Sequence, residues 1–431
     1  MDKKRLDNLK KLILYCKNNI PLYSKLYSKI DIEQINTFED FKKIIPPISK
    51  KQLLNLNNSS NIDLGLDNNT QGAMFLRVTS GTASKMACFY RSEKEIEQSA
   101  ERFYNTYSKY LNNNNKRDKV IIINDFTLSY IFARHFSKCE CLICLGNPFD
   151  LNHTVNIIKT AGCNVIRTTP PIALKIAQML VSQKYTEINK FFLAGSGLSS
   201  ITKQKLKDYY PQAQIHMQYG MAETAISLYQ CKHNLGTNIY HKFNDDFFYE
   251  FIDDKSNNIT KTDDIGELVI TKYTHENPLI RYKTGDICQL KDICQCGKQN
   301  IKLLGRKEDQ FKIKGIVVFK EKIDKAIYNT KKYCTGEYQL IIDEIEENGT
   351  LKSKLALYIE LEPKYEKSDK HVKTKIKNKI AKEFSDNFMI TEDYSWSQGI
   401  ELGIFSKVDV IIKNELKGLK IKKIIDKRYS Y

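Results

Sequence analysis

A series of short apolar segments separated by helix-like stretches, between residues 119 and 218, constrains the fold most strongly. Each segment is four residues long, and the segments are 120–123, 142–145, 164–167, 191–194 and 215–218; three are wholly apolar, and 164–167 and 215–218 each contain two polar residues. Short apolar strands that alternate with helices are typical of parallel sheets layered with helices. The sequence therefore predicts an α/β architecture for this region.

The hydrophobic pattern changes on both sides of this region. Residues 1–60 have helical periodicity, and Thr37 with Asp40 forms a predicted helix cap. After residue 236 a period of two, at 247–252 and 267–270, predicts antiparallel strands. From residue 308 a smaller region begins; its predicted elements are strands near 338–342, 355–361 and 407–412 and a lysine-rich helix near 370–384. We expect a large N-terminal domain (1–307) of mixed sheets layered with helices plus an antiparallel β region, and a small α+β C-terminal domain (308–431).

Charge and composition limit the classes of partner. The 431-residue chain has a net charge of +17, which favours anionic partners such as nucleotides or an acidic protein. The basic residues are dispersed and no nucleic-acid-binding motif is present, so we expect no nucleic acid partner. The sequence contains no apolar run of membrane-spanning length and no signal-peptide pattern, so we expect no membrane association and a cytoplasmic location.

A loop rich in hydroxyl groups follows the apolar segment 73–76. It contains Thr79, Ser80, Gly81 and Thr82, and Lys85 follows closely. Backbone N–H groups, hydroxyl donors and one cation together suit a phosphate chain. The same residues would also form a polar hairpin loop between two strands, and the loop alone does not separate these interpretations.

Two later motifs carry groups that suit a nucleotide. Tyr219-Gly220 follows the predicted strand 215–218, where a tyrosine ring could stack on a base, and Glu223 lies nearby as a Mg²⁺ ligand. Thr284-Gly285-Asp286 is predicted to be a turn, from which the carboxylate could accept both ribose hydroxyls.

The order and spacing of these motifs resemble the adenylate-forming superfamily of acyl-CoA synthetases, adenylation domains and luciferases. Closer features resemble its phenylacetate–CoA ligase branch. These features are the segment 20–23, the run 278–282 before Thr284, the Cys-x-Cys-Gly element at 294–297 and the C-terminal Asp426-x-Arg428. The resemblance covers nearly the whole chain.

The resemblance implies an AMP-forming activity that uses ATP and Mg²⁺. A small carboxylic acid, aryl or small acyl, would become an acyl-adenylate and then pass to a thiol, most simply that of coenzyme A. Two alternatives stay open: transfer to the phosphopantetheine of an acyl or peptidyl carrier protein or to an amine, and a non-catalytic nucleotide-binding relative. A homodimer is also left open. Residues 308–431 would form a mobile lid that carries the catalytic lysine.

The resemblance also assigns roles to individual residues. Thr79, Ser80, Gly81, Thr82 and Lys85 would bind the β- and γ-phosphates, and the adenosine-contacting turn would be Gly195, Ser196 and Gly197. Adenine would stack on Tyr219, beside Gly220, and the ribose would be held by Asp286 and Arg306. Glu223 would bind Mg²⁺, and Lys420 would contact the carboxylate and α-phosphate during adenylation, with Lys417 and Lys422 as rival alignments.

Several positions depart from the family pattern. The departures are Ser84, Ala222, Glu308, Leu419 and Lys423. Phe126 and Tyr130 are bulky where the family has a glycine-rich stretch of the acyl pocket, which indicates a reshaped pocket and disfavours phenylacetate as the acid.

Cysteine spacing suggests a metal centre. Cys294 and Cys296 form a close pair, and Cys231 and His241 lie upstream. Two separated Cys/His pairs match the tetrahedral ligand set of a structural Zn²⁺ ion, and His233 or Cys288 could substitute. Free thiols are the alternative.

Overall fold

The computed structural model describes residues 2–52, 74–78, 88–112, 116–243, 247–274, 278–307, 311–313, 316–347, 349–414, 416 and 424–427. The chain divides into two compact units. The first is Met1–Gly197 with Leu206–Leu303, and the second is Leu198–Lys205 with Leu304–Tyr431. Within the described residues, no helix is both long enough and apolar enough to cross a membrane.

The helices of the described residues are α1 (Asp2–Asn19), α2 (Pro21–Leu26), α3 (Phe38–Ile44), α4 (Glu93–Tyr107), α5 (Phe126–Lys138), α6 (Leu151–Ala161), α7 (Pro170–Ser182), α8 (Ser200–Tyr209), α9 (Lys320–Asn329), α10 (Pro363–Glu366), α11 (Lys370–Asn387) and α12 (Trp396–Glu401). The strands are β1 (Ile48–Ser49), β2 (Met74–Val78), β3 (Cys88–Ser92), β4 (Lys119–Ile123), β5 (Leu142–Gly146), β6 (Val165–Thr168), β7 (Lys190–Leu193), β8 (Gln214–Met217), β9 (Tyr219–Met221), β10 (Ala225–Tyr229), β11 (Ile239–Lys242), β12 (Phe247–Ile252), β13 (Ile265–Lys272), β14 (Leu279–Ile293), β15 (Gln299–Arg306), β16 (Phe311–Ile313), β17 (Ile316–Val318), β18 (Cys334–Glu347), β19 (Thr350–Leu361), β20 (Asp409–Lys413) and β21 (Ile424–Asp426).

The predicted parallel sheet is confirmed. Its strand order is β5-β4-β6-β7-β8, and every described pairing is parallel. The apolar side chains of β4 and β7 are buried, and on one face they pack with aromatic residues of α4 and α5, including Phe103 and Phe136. Burial on both faces explains why these strands are continuous apolar runs.

A mixed sheet follows, in the order β12-β13-β14-β15-β11-β10-β9, with β1 added parallel to β14. The predicted antiparallel strands are confirmed in β12 and β13. Two local predictions are wrong. Residues 219–221 form strand β9 rather than a loop, and Thr284–Asp286 lies inside the long strand β14 rather than in a turn, because both segments pair with neighbouring strands.

The second unit contains a four-stranded sheet of order β20-β19-β18-β21. The predicted lysine-rich helix is α11, whose Ile380 and Phe384 are buried in the core of this unit. Trp396 stacks on Phe405 in the same core, with ring centroids 4.1 Å apart. The predicted strand near 407–412 is β20, and a further strand that was not predicted, β21, follows it and pairs parallel with β18.

The N-terminal helices are fixed to the mixed sheet by Arg281 of β14. Its guanidinium donates to the carbonyl oxygens of Lys42 and Ile45, beside α3, and pairs with the buried Glu250 at 2.7 Å. The predicted cap of α3 is confirmed, since Thr37 and Asp40 form a reciprocal capping box. The ion pair of Arg281 with Glu250 and its hydrogen bonds to Lys42 and Ile45 therefore join three distant segments of the first unit.

We expect Arg281→Met to lower the free energy of unfolding by about 3–5 kcal/mol, because Glu250 would remain buried without its partner. Urea-induced unfolding followed by circular dichroism measures this change. The double variant Arg281→Met/Glu250→Leu removes both charges and should recover part of the loss. A single variant as stable as the wild type would contradict the anchoring role.

Candidate active site and metal centre

Strand β9 and strand β14 bring two predicted nucleotide-binding residues together. The hydroxyl of Tyr219 donates to Oδ2 of Asp286 at 2.6 Å, across 67 residues of sequence. Asp286 is largely buried, and the backbone N–H group of this residue donates to Oγ1 of Thr284. Burial and the neighbouring Asp286 raise the pKa of Tyr219 well above its usual value, so the phenol stays protonated and keeps donating.

A second tyrosine–carboxylate pair lies between the same two segments. The hydroxyl of Tyr282 donates to Oε1 of the buried Glu223 at 3.1 Å. The carbonyl oxygen of the intervening Ala222 accepts a hydrogen bond of 2.6 Å from the guanidinium of Arg91. Position 222 is therefore held through its backbone, by a contact that does not depend on its side chain. The sequence did not identify Tyr282 as a partner of Glu223, although it lies in the run 278–282.

Two predicted glycines have structural reasons in addition to any ligand contact. A Cβ on Gly220 would lie 2.5 Å from the carbonyl oxygen of Ala225 on the adjacent strand β10. Gly195 has φ +89°, in the left-handed region that favours glycine. Gly195, Ser196 and Gly197 directly follow β7, at the carboxyl edge of the parallel sheet, where α/β folds bind ligands.

The two predicted acyl-pocket residues lie on the first turns of α5. Phe126 begins the helix and is 84% exposed. Tyr130 stacks on Phe75 of β2, with ring centroids 4.7 Å apart, and its hydroxyl donates to the carboxylate of Glu93. Tyr130 is therefore oriented by a hydrogen bond, whereas Phe126 contributes an exposed apolar surface at the sheet edge.

Several predicted residues lie outside the described part of the chain, or in the second unit. Those outside are the phosphate-loop residues Thr79, Ser80, Gly81, Thr82, Ser84 and Lys85, and the C-terminal residues Glu308, Lys417, Leu419, Lys420, Lys422, Lys423 and Arg428. Arg306 ends β15 and belongs to the second unit. The roles of all these residues remain predictions.

Four side chains converge in the mixed-sheet region as a potential metal centre. The ligand atoms of Cys231, His241, Cys294 and Cys296 all lie within 4.8 Å of one another. The Sγ atoms of Cys231 and Cys294 are 3.6 Å apart, and Nε2 of His241 lies 3.3 Å from Sγ of Cys231 and 3.4 Å from Sγ of Cys296. Neither Cys288 nor His233 belongs to the cluster.

Hydrogen bonding orients the histidine of this cluster. The Nδ1–H group of His241 donates to the carbonyl oxygen of Gln299 at 2.9 Å, which places the lone pair of the ring on Nε2, the atom that faces the thiols. Such a partner is typical of metal-binding histidines, because it fixes both the tautomer and the ring orientation.

Buried polar residues beneath α5 were not predicted from the sequence. Arg167 of β6 is fully buried, and its Nε and Nη2 have no hydrogen-bond partner among the described residues. His135 and Gln218, also buried, carry further unpartnered atoms. The available signal was a single arginine within an otherwise apolar strand.

Comparisons with known proteins agree with the resemblance stated from the sequence motifs. No protein-family model matches the chain. It is 23% identical to phenylacetate-coenzyme A ligase of Pseudomonas putida over 374 residues, covering 83% of this chain and 81% of that protein. It is 30% identical to phenylacetate-coenzyme A ligase of Aromatoleum evansii over 115 residues, 26% of each chain.

Solved structures confirm the fold. A 2-hydroxyisobutyryl-CoA ligase in complex with 2-HIB-AMP aligns with a TM-score of 0.78 at 18% identity, covering 99% of this chain and 90% of that one. The anthranilate CoA ligase AuaEII in complex with anthranoyl-AMP aligns with a TM-score of 0.57 at 15% identity, covering 81% of this chain and 64% of that one. The predicted mixed α/β class and the similarity to phenylacetate–CoA ligases are both confirmed.

We expect Gly220→Ala to destabilise the first unit by about 1–3 kcal/mol, because the added methyl group would overlap the backbone of β10. Thermal unfolding measured by calorimetry tests this. Gly197→Ala is the matched control, since its methyl group would meet only Oδ1 of Asn238 at 3.8 Å. Equal melting temperatures for the two variants would contradict the packing argument.

Proposed function

We propose that this protein is an ATP-dependent, AMP-forming ligase that joins a small carboxylic acid to coenzyme A. The observation that carries the proposal is that two residues of β14, Asp286 and Tyr282, contact Tyr219 of β9 and Glu223 of the turn that follows β9. Two carboxylates from distant motifs are thus each paired with a tyrosine of the other motif, which supports a shared nucleotide site. The similarity to phenylacetate-coenzyme A ligases supports the same activity.

The carboxylate of Asp286 suits a ribose. In this structure it accepts a hydrogen bond from the hydroxyl of Tyr219, and hydroxyl donors are what a ribose diol offers. The residue Tyr219 is partly exposed, and its ring is proposed to stack on adenine. Asp286 and Tyr219 would therefore position the nucleoside, and Arg306 is proposed as a further ribose contact.

The buried carboxylate of Glu223 fits a hard divalent cation, which prefers oxygen ligands. Tyr282 orients the carboxylate by donating to one of its oxygens. When bound by Glu223, Mg²⁺ would neutralise the negative charge of the ATP phosphates as the carboxylate of the substrate acid approaches them.

The reaction would proceed in two steps. An oxygen of the acid attacks the α-phosphorus of ATP, and the bond to pyrophosphate breaks. The thiolate sulfur of coenzyme A then attacks the acyl carbon, and AMP leaves with the electron pair of the broken C–O bond. We assign charge stabilisation in the first step to Lys420, and phosphate binding to the loop from Thr79 to Lys85.

Residues 1–307 are proposed to bind ATP and the acid, and residues 308–431 to act as the mobile lid. A carrier-protein acceptor and a homodimer remain predictions.

We further propose that Cys231, His241, Cys294 and Cys296 bind one structural Zn²⁺ ion. Tetrahedral coordination with Zn–S distances of about 2.3 Å places two sulfur ligands about 3.8 Å apart, close to the 3.6 Å between Cys231 and Cys294. Three thiols and an imidazole without a water position form a closed set, which is typical of structural zinc sites. The ion would join the end of β10 to the turn after β14.

Acid-dependent ATP–pyrophosphate exchange tests the proposed reaction. We expect exchange with a subset of a carboxylic acid panel, and we expect Asp286→Asn to raise the KM for ATP about 10–100-fold, because charge-assisted hydrogen bonds to the ribose are lost. Asp292→Asn, an exposed change on the same strand, should leave the KM unchanged. Absence of exchange with every acid would contradict the function, and an unchanged KM in Asp286→Asn would contradict the ribose assignment.

Metal analysis of the purified protein tests the zinc proposal. We expect about one equivalent of zinc and a lower melting temperature after chelation, because binding free energy contributes to folding. Cys296→Ser should lose most of the metal, whereas Cys144→Ser, a cysteine outside the cluster, should retain it. Less than half an equivalent in the wild-type protein would count against a zinc centre.

A further inference from the structure

The face of the parallel sheet beneath α4 and α5 contains a buried arginine without an acidic partner. Arg167 is 1% exposed, and its Nη1 donates to the carbonyl oxygens of Thr168 and Phe192. Within the described part of the chain, its Nε and Nη2 have no hydrogen-bond partner and no carboxylate forms an ion pair with it. Burial lowers its pKa to about 9, so the guanidinium remains charged at neutral pH.

The side chains around Arg167 include Phe132 and His135, and neither carries a negative charge that would neutralise the guanidinium. The guanidinium lies over the ring of Phe132, 3.7 Å from its centroid. His135, one turn further along α5, contacts Oγ of Ser99 through Nε2 at 3.0 Å, while its Nδ1 has no partner. Burial lowers the pKa of His135 to about 3, so the ring is neutral and adds no charge.

Two other buried arginines of the first unit, unlike Arg167, form ion pairs with acidic residues. Arg91 pairs with Glu95, and Arg281 pairs with Glu250. Buried charges in proteins are normally paired, because a lone ion forfeits its hydration without compensation. Arg167 is therefore a buried guanidinium that has no acidic partner among the described residues.

The position of Arg167 links it to the candidate acyl pocket. It is the second-last residue of β6, and Thr169, on the same face, lies about 7 Å further toward the carboxyl edge of the sheet. Gln218, on the same face at the end of β8, is buried with both side-chain amide atoms unpartnered, and it directly precedes Tyr219. The helix above, α5, carries Phe126 and Tyr130 on its first turns.

We propose that Arg167 binds a second anionic group of the carboxylic acid, so that the enzyme activates dicarboxylic acids. One carboxylate would be adenylated beside Tyr219, and the other would be held by Nε and Nη2 of Arg167. This inference rests on the proposed function and specifies the substrate class. Arg167 is then a residue that determines specificity and does not take part in the chemical steps.

Matched pairs of acids test this inference in pyrophosphate exchange with the wild-type protein. The pairs are hexanoate with adipate, and phenylacetate with 4-carboxyphenylacetate. We expect kcat/KM to favour a dicarboxylate over its matched monocarboxylate by about 100-fold, because a monoacid would leave the guanidinium buried and unpaired. A preference for the monoacid in both pairs, or equal values, would overturn the proposal.

Arg167→Met separates substrate binding from a structural role. We expect this variant to lose the preference for the dicarboxylate through a raised KM, with a melting temperature no lower than that of the wild type, because an apolar side chain replaces a lone buried charge. Arg117→Met, at an exposed position before β4, should retain the wild-type preference. An unchanged preference in Arg167→Met would overturn the proposal.

The same acids distinguish this proposal from the proposed function. If no acid supports exchange, the ligase function fails, and thermal shift with adipate and hexanoate still tests the arginine site. Stabilisation by adipate in the wild type but not in Arg167→Met would support the site. Equal shifts by the two acids would overturn it. If Arg167→Met does not fold, the comparison of the two acids with the wild-type protein gives the answer.

Discussion

The hydrogen bond from Tyr219 to Asp286 is the contact on which the candidate site depends. It joins β9, which directly follows the last parallel strand, to β14 in the middle of the mixed sheet. Backbone pairing places both strands in one sheet, and this contact fixes the Tyr219 side chain, next to the carboxyl edge of the parallel sheet, against the carboxylate of Asp286. The pair formed by Tyr282 and Glu223 repeats the connection in the opposite direction, since here β14 supplies the hydroxyl.

Buried ion pairs hold the strands around this contact in place. Lys272 of β13 and Arg91 of β3 both pair with Glu95 at the start of α4, and Arg91 also binds the backbone of Ala222. Burial opposes ionisation of Glu95, yet Lys272 and Arg91 hold its pKa below the usual value. Burial lowers the pKa of Lys272 to about 8, so this pair weakens as the pH rises through that value. The backbone before Glu223 is thus positioned by charges that are neutralised within the chain.

Local sequence patterns predicted those parts of the fold that local forces determine. The apolar runs of the parallel sheet and the cap of α3 follow from periodicity and from one hydrogen-bonding motif, and both are confirmed.

The segment Thr284–Asp286 was wrongly predicted as a turn because glycine usually marks one. Here Gly285 has φ +76° inside a continuous strand, and its N–H group donates to Glu267 of β13. Pairing with a distant strand decided its structure, and a single sequence does not contain that information.

The site was predictable to the extent that its residue types are unusual. Cys231, His241, Cys294 and Cys296 were identified from spacing, but only the folded chain separates them from the rivals Cys288 and His233. The signal for Arg167, a single charged residue in a predicted strand, was ambiguous because such a residue can also face solvent. Its burial becomes apparent only when α5 is placed over the sheet.

The proposed role of Arg167 would account for a buried charge that has no acidic partner among the described residues. The pairs of Arg91 and Arg281 are complete in the free protein, so they contribute to stability whether or not substrate is present. An arginine that has no acidic partner among the described residues costs stability in the free protein, and the second carboxylate of the proposed dicarboxylic acid would relieve that cost. The same cost penalises any acid that fills the pocket without a second negative charge. Selectivity would then arise from the energy of the unpaired guanidinium as much as from the contact that forms when the correct acid binds.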